Sequence, residues 1–306
     1  MPALTLFTAP KPFTNPHIAT IQRNAIRSWL QMGSNVEVLL LGDEEGMAAE
    51  ADKLGVCQIK EIARNSSGTP LISALFDTAR ARNDSRLLAY VNADILLFPE
   101  FLTSALKTLT MTERFLLIGR RWDLEVTREL DFSEGWQERL KAECREKGSL
   151  HKPTGSDYFI YPRACFETIP DFAIGRAGWD NWMIYESRRR GWKTIDASEE
   201  IHIIHQSHDY SHLPGGQAHY RLPETDENIR LAGGPRTIFT LPDANFVYRN
   251  GCIKRAKMNG AKLLREIEIF PLIKLKSNFL GEVFYLLLHP RKLWAALRGK
   301  NRERKS

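Results

Sequence analysis

The stretch Arg86-Leu-Leu-Ala-Tyr-Val-Asn-Ala-Asp-Ile-Leu-Leu-Phe98 restricts what this chain can fold into more than any other. A run this rich in Leu, Ile and Val reads as a strand covered on both faces, the pattern of a buried parallel sheet. Asn92 and Asp94 break the run, and a carboxylate does not stay in such a core unless it is neutralised. The acid therefore belongs where the strand leaves the sheet, which is where open α/β sheets bind their ligands.

The residues around this stretch alternate between two periods. Leu4–Phe7, Val36–Leu41 and Val56–Ile62 have strand character, whereas His17–Met32 sets Ile18, Ile21, Ala25, Ile26 and Trp29 at helical spacing and 46–54 suits a short helix. Gly68-Thr69-Pro70 predicts a helix start, with Thr69 as N-cap, Pro70 in the first turn, and Leu71, Ile72, Leu75, Phe76 and Ala79 as its buried stripe. Strand–helix alternation of this kind predicts an α/β fold with a doubly wound, mostly parallel sheet flanked by helices. Further on, the pattern gives a helix over 99–110, a strand at 115–119, a charged helical insertion over 122–153, a strand at 157–161, a helix over 179–190 and short strands at 194–196 and 201–205. Gly215-Gly216 and Gly233-Gly234-Pro235 mark loops, and the globular part is expected to end near residue 250.

Composition excludes several classes of protein. With 43% hydrophobic and 26% charged residues the chain can bury a core, so disorder is not expected. The four cysteines form no close pair, which argues against a zinc cluster or a disulfide framework and suits a reducing cytosol. Met1–Thr8 runs straight into strand-like sequence, so no secretory signal is expected there, and no window is apolar enough to span a bilayer. The net charge is +6, but residues from Gly251 on hold 14 Lys and Arg against 4 Asp and Glu, so the first 250 residues are acidic overall. This divides the chain into a main domain over 1–250 and a basic helical tail over 251–306. Phe279–Trp294 carries about ten apolar residues flanked by Arg291 and Lys292; it suits either the interface of an anionic membrane or a helix packed on the domain. Nucleic acid is not an expected partner.

Four stretches hold polar residues that packing alone does not require. If Asn92 and Asp94 stand on one strand, alternation puts them on the same face, facing a cation or a sugar; Asp94 as a helix cap is the plainer reading. Thr154-Gly-Ser-Asp157 combines small residues with an acid, which allows close backbone approach to a ligand and is equally ordinary turn chemistry. Gly178-Trp179-Asp180-Asn181 opens a helix with Asp180 placed to cap it, and Trp179 and Trp182 beside polar groups suit sugar stacking. Finally His202, His205, His208 and His212 put half of the chain's eight histidines into eleven positions. This suits a metal, with His205 and His208 the favoured ligands and His202 a candidate for simple packing.

In order and spacing these elements resemble the GT-A glycosyltransferases of the nucleotide-diphospho-sugar transferase superfamily, similar to the family 2-like members, over roughly residues 4–212. The resemblance implies a glycosyltransferase that takes a nucleotide-sugar donor and a glycan or lipid-linked acceptor, with Mn²⁺ or Mg²⁺ as cofactor, located in the cytoplasm or peripherally on the inner face of a membrane. It places Asp94 at the last acid of the DxD motif as a metal and donor ligand, with Asn92 where the first acid stands. Thr8, Asp43 and Asp157 would lie on the nucleotide and donor side, Trp179 and Trp182 on the acceptor side, Asp180 at the catalytic base and His205 or His208 in the metal shell. Two other functions compete: a sugar-phosphate nucleotidyltransferase, although Ala9-Pro-Lys-Pro12 lacks the Gly-rich, Arg-containing loop such enzymes use, and a non-catalytic sugar-binding or membrane-associated scaffold, favoured by Asn92 in place of an acid.

Overall fold

The computed structural model describes residues 2–154, 156–208 and 222–292. Gly155, His212, the Gly215-Gly216 loop and Trp294 lie outside the described residues. The chain begins β1 (Leu4–Thr8), α1 (Pro16–Leu30), β2 (Val36–Leu41), α2 (Met47–Leu54), β3 (Cys57–Ile59), α3 (Ile72–Arg82) and β4 (Leu87–Val91). There follow β5 (Ile95–Leu97), α4 (Glu100–Met111), β6 (Phe115–Ile118), β7 (Trp122–Leu124), α5 (Trp136–Lys147), β8 (Ser149–Leu150), β9 (Tyr158–Pro162), α6 (Trp179–Arg189), β10 (Lys193–Asp196) and β11 (Ile203–Gln206). The remaining elements are α7 (Pro223–Leu231), β12 (Phe246–Arg249), β13 (Cys252–Arg255), α8 (Gly260–Ile273) and α9 (Asn278–Leu288).

Among the described residues, nine strands form the main sheet in the order β13-β12-β10-β6-β9-β4-β1-β2-β3. It is mostly parallel; β9 runs antiparallel to both β4 and β6, and β12–β13 is an edge hairpin. Period-two alternation sorts the strand residues onto the two faces. Leu4, Leu6, Val38, Leu40, Leu87, Ala89 and Ile160 meet α1, α2 and α4 in one core. Phe7, Leu39, Leu41, Leu88, Tyr90 and Tyr161 meet α3, α6 and α8 in the other. The strands are thus apolar in both registers because helices cover both faces, as the α/β reading requires.

The stretch 86–98 is not one strand. β4 stops at Val91, Asn92–Asp94 turn with the Ile95 amide donating to the Asn92 carbonyl (3.2 Å), and the chain continues as β5 in a different sheet. Asn92 and Asp94 therefore do not share a strand face; both are residue types that favour turns over ladders. The small second sheet runs β5-β11-β7-β8 and rests with α5 on a third core of Leu96, Phe98, Leu124, Trp136, Leu140 and Ile204. The two ends of the expected insertion at 122–153, β7 and β8, are consequently built into this sheet, with α5 between them. Two helix starts also differ from expectation. α3 begins at Ile72, because Pro70 and Leu71 are held in bridges to Arg64 and Ala173. Gly178, not Asp180, caps α6, and its φ of 110° is a turn that a glycine enters without strain.

Packing does not stop at residue 250. β13 completes the edge hairpin, and Ile269, Leu272 and Ile273 of α8 are buried in the second core.

The turn at Asn92–Asp94 is anchored from α1. The Trp29 indole, fully buried, donates to the Ile95 carbonyl (2.9 Å), and the Ser28 hydroxyl accepts from the Leu97 amide (3.0 Å). Trp29→Phe keeps most of the ring but strands a buried carbonyl, so urea unfolding is expected to show a loss of about 1–3 kcal/mol with an unchanged m-value.

Candidate active site

A cleft of about 730 Å³ opens at the carboxyl ends of β1 and β4. β2 lies on one side of this pair and β9 on the other, so the cleft sits where strand order changes direction, the favoured ligand position in such sheets. Its wall includes the β1–α1 loop Ala9–Pro12, the Asn92–Asp94 turn, Ser156–Asp157, the start of α6, and His205 and His208.

The second sheet gathers the polar cluster on one side. In its register His205 on β11 stands opposite Asp123 on β7 and Ile95 on β5, which follows Asp94 directly. The His205 Nδ1 lies 3.0 Å from an Asp123 oxygen, leaving Nε2 toward Asp94 Oδ2 at 3.8 Å. His208 Nε2 is 3.0 Å from the same Asp94 oxygen, and Lys11 Nζ is 3.2 Å from His208 Nε2. Gln206, fully buried, fixes the turn by donating to the Asp94 carbonyl from its backbone (3.1 Å) and its side chain (3.2 Å). Burial alone would raise the Asp94 carboxyl, but His205, His208 and Lys11 outweigh it and hold the acid well below the usual carboxylate range. Asp123 is treated alike: burial opposes its ionisation, and His205, His151 and Arg121 overcome it.

Asp94, His205 and His208 offer one ligand atom each within 4.8 Å of one another, the candidate cation site among the described residues. Asp94 Oδ1 is buried and has no hydrogen-bond partner there, so the carboxylate still has acceptor capacity for a cation.

Asn92 faces elsewhere. Its amide donates to Asp157 Oδ1 (3.0 Å), its backbone N–H donates to the Asp157 carbonyl (3.0 Å), and Tyr90 OH donates to its oxygen (3.1 Å). Arg121 compensates Asp157 at 2.7 Å and reaches Asp123 at 2.9 Å, tying the two polar groups together.

Asp180, the second residue of α6, also lines the cleft. Burial pushes its carboxyl up to about 6; the backbone amides at the helix start pull it down and Asp157 pushes it further up. Desolvation thus beats the helix N-terminus, and this acid ends far from Asp94 in proton affinity.

The cleft brings together Asn92, Asp94, Asp157, Trp179, Asp180, His205 and His208, all named by sequence. Thr8, Asp43 and Trp182 are not part of its wall. Thr8 is fully buried at the end of β1, and Asp43 points to solvent beside Lys60 (3.7 Å) while its neighbour Glu44 lines the cleft and pairs with Arg64. Trp182 packs on Phe166 and Phe172, and Trp179 is itself mostly covered by Tyr90 and Phe159, so large buried rings here serve the core first. His202 is packed between Trp122 and Phe98 with its basicity lowered to about 4 by burial, the packing role foreseen for it. Sequence reasoning passed over Lys11, Arg64, Arg121, Asp123, His151 and Arg176. The pairing of β7 with β11 selects Asp123, and no local pattern reveals it.

No family model matches the sequence, and no curated protein matches it. Two solved structures of S. aureus TarS 1-349 are similar at 11% identity. One superposes with a TM-score of 0.44 over 67% of this chain and 60% of that one. The other, in complex with UDP-GlcNAc, gives 0.45 over 76% and 65%. The chain spans less than two thirds of the length of either.

The raised acid has a stability consequence. Asp180 takes up its proton at about 6 when folded and near 3.8 when unfolded, so its contribution is fully present below about 3.8 and lost as pH rises through 6. Above that the buried charge is a cost, discounted for its access to the cleft to about 1–2 kcal/mol. Asp180→Asn is therefore expected to raise the melting temperature at pH 8 and leave it nearly unchanged at pH 4, as measured by calorimetry.

Proposed function

We propose that this chain is a nucleotide-sugar-dependent glycosyltransferase, metal-assisted, acting on a hydroxyl of a glycan or lipid-linked acceptor. The observation that carries the reading is the pair of acids in one cleft whose surroundings drive them apart, Asp94 toward permanent ionisation and Asp180 toward a proton affinity near neutrality. Breaking a glycosyl–diphosphate bond and activating a hydroxyl need two such groups.

Asp94, His205 and His208 fit a divalent cation by their spacing and by the unpartnered Asp94 oxygen. One carboxylate with two imidazoles suits Mn²⁺ better than Mg²⁺, which prefers oxygen ligands. Bound there, the cation would supply charge stabilisation for the diphosphate leaving group. Asp123 holds the His205 ring by its Nδ1 and so presents Nε2 to the site. Lys11, Arg64, Arg121 and Arg176 add positive charge to the same cleft, which suits an anionic donor.

Asp180 takes the proton from the acceptor hydroxyl onto its carboxylate. Its removal from bulk water makes it a stronger base than an exposed aspartate, and its place at the start of a helix packed into the second core keeps it from swinging away. Asp157 is assigned to donor positioning through Asn92 and Arg121, which fix its oxygen from two sides.

The test is release of nucleoside diphosphate from a panel of nucleotide sugars with Mn²⁺. Turnover is expected to vanish in Asp94→Ala and on chelation. Asp180→Asn is expected to lower kcat by about 10²–10⁴-fold with little change in donor KM. Because the base must be ionised, kcat/KM is expected to fall about tenfold per pH unit below 6 and to level off above it. Failure of the protein to bind any nucleotide in calorimetry would overturn the proposal.

A further inference from the structure

The helices that follow the main sheet have their polarity the wrong way round for a protein wholly surrounded by water. Of the eleven large hydrophobic side chains exposed among the described residues, nine fall between Met258 and Leu288. On α8 they are Leu263, Leu264, Ile267 and Phe270, each 43% exposed or more and spaced to form one stripe. The opposite face of α8 carries its charges inward. Glu266 pairs with the buried Arg188 (2.7 Å), Arg265 with Asp243 (2.8 Å), and Lys262 donates to the Ala244 carbonyl (2.9 Å). The α8 charges are thus used to fasten the helix, and its leucines face out. α9 adds Phe279 and Leu287, 76% and 66% exposed.

Exposed cations flank the two helices along the chain: Lys257 before α8, Lys274 and Lys276 between α8 and α9, and Arg291 and Lys292 after α9. The acids in the same region, Glu266, Glu268 and Glu282, are already paired with Arg188, Arg265 and Arg236. No helix is long and apolar enough to cross a membrane among the described residues.

We propose that the α8–α9 face is a membrane-docking platform that lies in the interface of an anionic bilayer, its apolar stripe in the acyl boundary and its cations among acidic headgroups. A contiguous apolar patch of this kind marks an interaction surface, and an apolar face rimmed by Lys and Arg is the form that lies flat on anionic lipid. A second copy of the chain suits it less. A twofold interface sets each patch against its own equivalent, and these patches would bring unpaired cations toward like charge. Through the Arg188–Glu266 pair α8 is fastened to the last turn of α6, whose first turn carries Asp180. Asp180 and Arg188 are eight residues apart, about 12 Å along α6, so the docked helix and the cleft are joined by a single rigid element.

The inference is independent of the reaction assigned to the cleft, because docking needs neither donor nor metal, and each can fail without the other. The full-length chain is floated without nucleotide on phosphatidylcholine vesicles with and without phosphatidylglycerol. Recovery is expected only with the anionic vesicles and is expected to weaken at about 0.5 M salt. Leu264→Ser combined with Phe270→Ser is expected to lower the partition coefficient at least about tenfold with an unchanged melting temperature, since both side chains are exposed. Lys274→Glu combined with Lys276→Glu is expected to abolish the preference for anionic lipid. Equal flotation of the Ser double variant and the parent would overturn the proposal, as would no flotation at all. So would a dimer in light scattering that the same variant dissociates, which assigns the face to a second copy.

Discussion

The carboxylate of Asp94 needs a partner, and much of the structure around the cleft exists to provide one. It ends the turn between β4 and β5, two strands with no exposed residue, so burial works against its charge. The compensation comes from two parts of the chain: Lys11 in the loop after β1, and His205 and His208 on and just beyond β11. The two imidazoles come from outside the main sheet, whose β4 side chains are already packed into its two cores. The second sheet answers this. By pairing β5 with β11 and β11 with β7 it draws His205 and Asp123 to the edge of the Asp94 turn, and Gln206 locks the turn's carbonyl from the same strand. A buried polar network of this sort stabilises when its members are satisfied, and Asp94 Oδ1 and the neighbouring Ser156 hydroxyl are left without a partner among the described residues, which gives the cleft spare hydrogen-bonding capacity.

How much of this could be seen beforehand depends on the range of the interactions. The α/β alternation was legible because covered strands and amphipathic helices carry their periods in consecutive residues. α1 and α2 fall close to where spacing placed them, with Asn15 capping α1 ahead of Pro16. The acid in an apolar run and the crowded histidines were legible for a different reason: each is costly in a core, so its presence asks for an explanation. What could not be read was pairing. Arg86–Phe98 looks like one strand because β4 and β5 are both apolar, although they belong to different sheets. Asp123 and Arg121 sit in a charged segment where nothing local separates a network member from a solvated side chain, and only the register with His205 singles Asp123 out. Trp182 erred the other way, since an aromatic beside polar residues in sequence was packed against Phe166 and Phe172 in space.

The C-terminal helices show the same division. Net charge set residues 251–306 apart as basic, and the apolar run of α9 was visible. The face of α8 was not, because Leu263, Leu264, Ile267 and Phe270 on one side and Ile269, Leu272 and Ile273 on the other are both apolar stripes. Which stripe turns inward is decided by Arg188 and Asp243. These groups are buried on the body of the protein and require Glu266 and Arg265, and the salt bridges that satisfy them rotate the outer leucines into the open. An uncompensated buried charge costs more than exposed leucines do, so the polar pairs win the orientation.

Asn92 is the residue on which a catalytic reading is most exposed, because the resemblance expects an acid in its place. Its surroundings give a physical reason for the amide. Asn92 donates through Nδ2 to Asp157 and accepts from Tyr90, two bonds of opposite sense that only an amide makes with these partners as they stand. A carboxylate at 92 would face the Asp157 carboxylate at hydrogen-bonding distance, with Asp94 two residues on and Asp180 already raised by burial and further by Asp157. Arg121 is already shared between Asp157 and Asp123, so a third carboxylate would divide its single charge further. The acid beside the strand end is Asp157, just before β9, and Asn92 is the amide that can donate to it. The amide at 92 is thus accounted for by its own partners, and it shares the cleft with an acid held ionised, an acid raised by burial and two imidazoles.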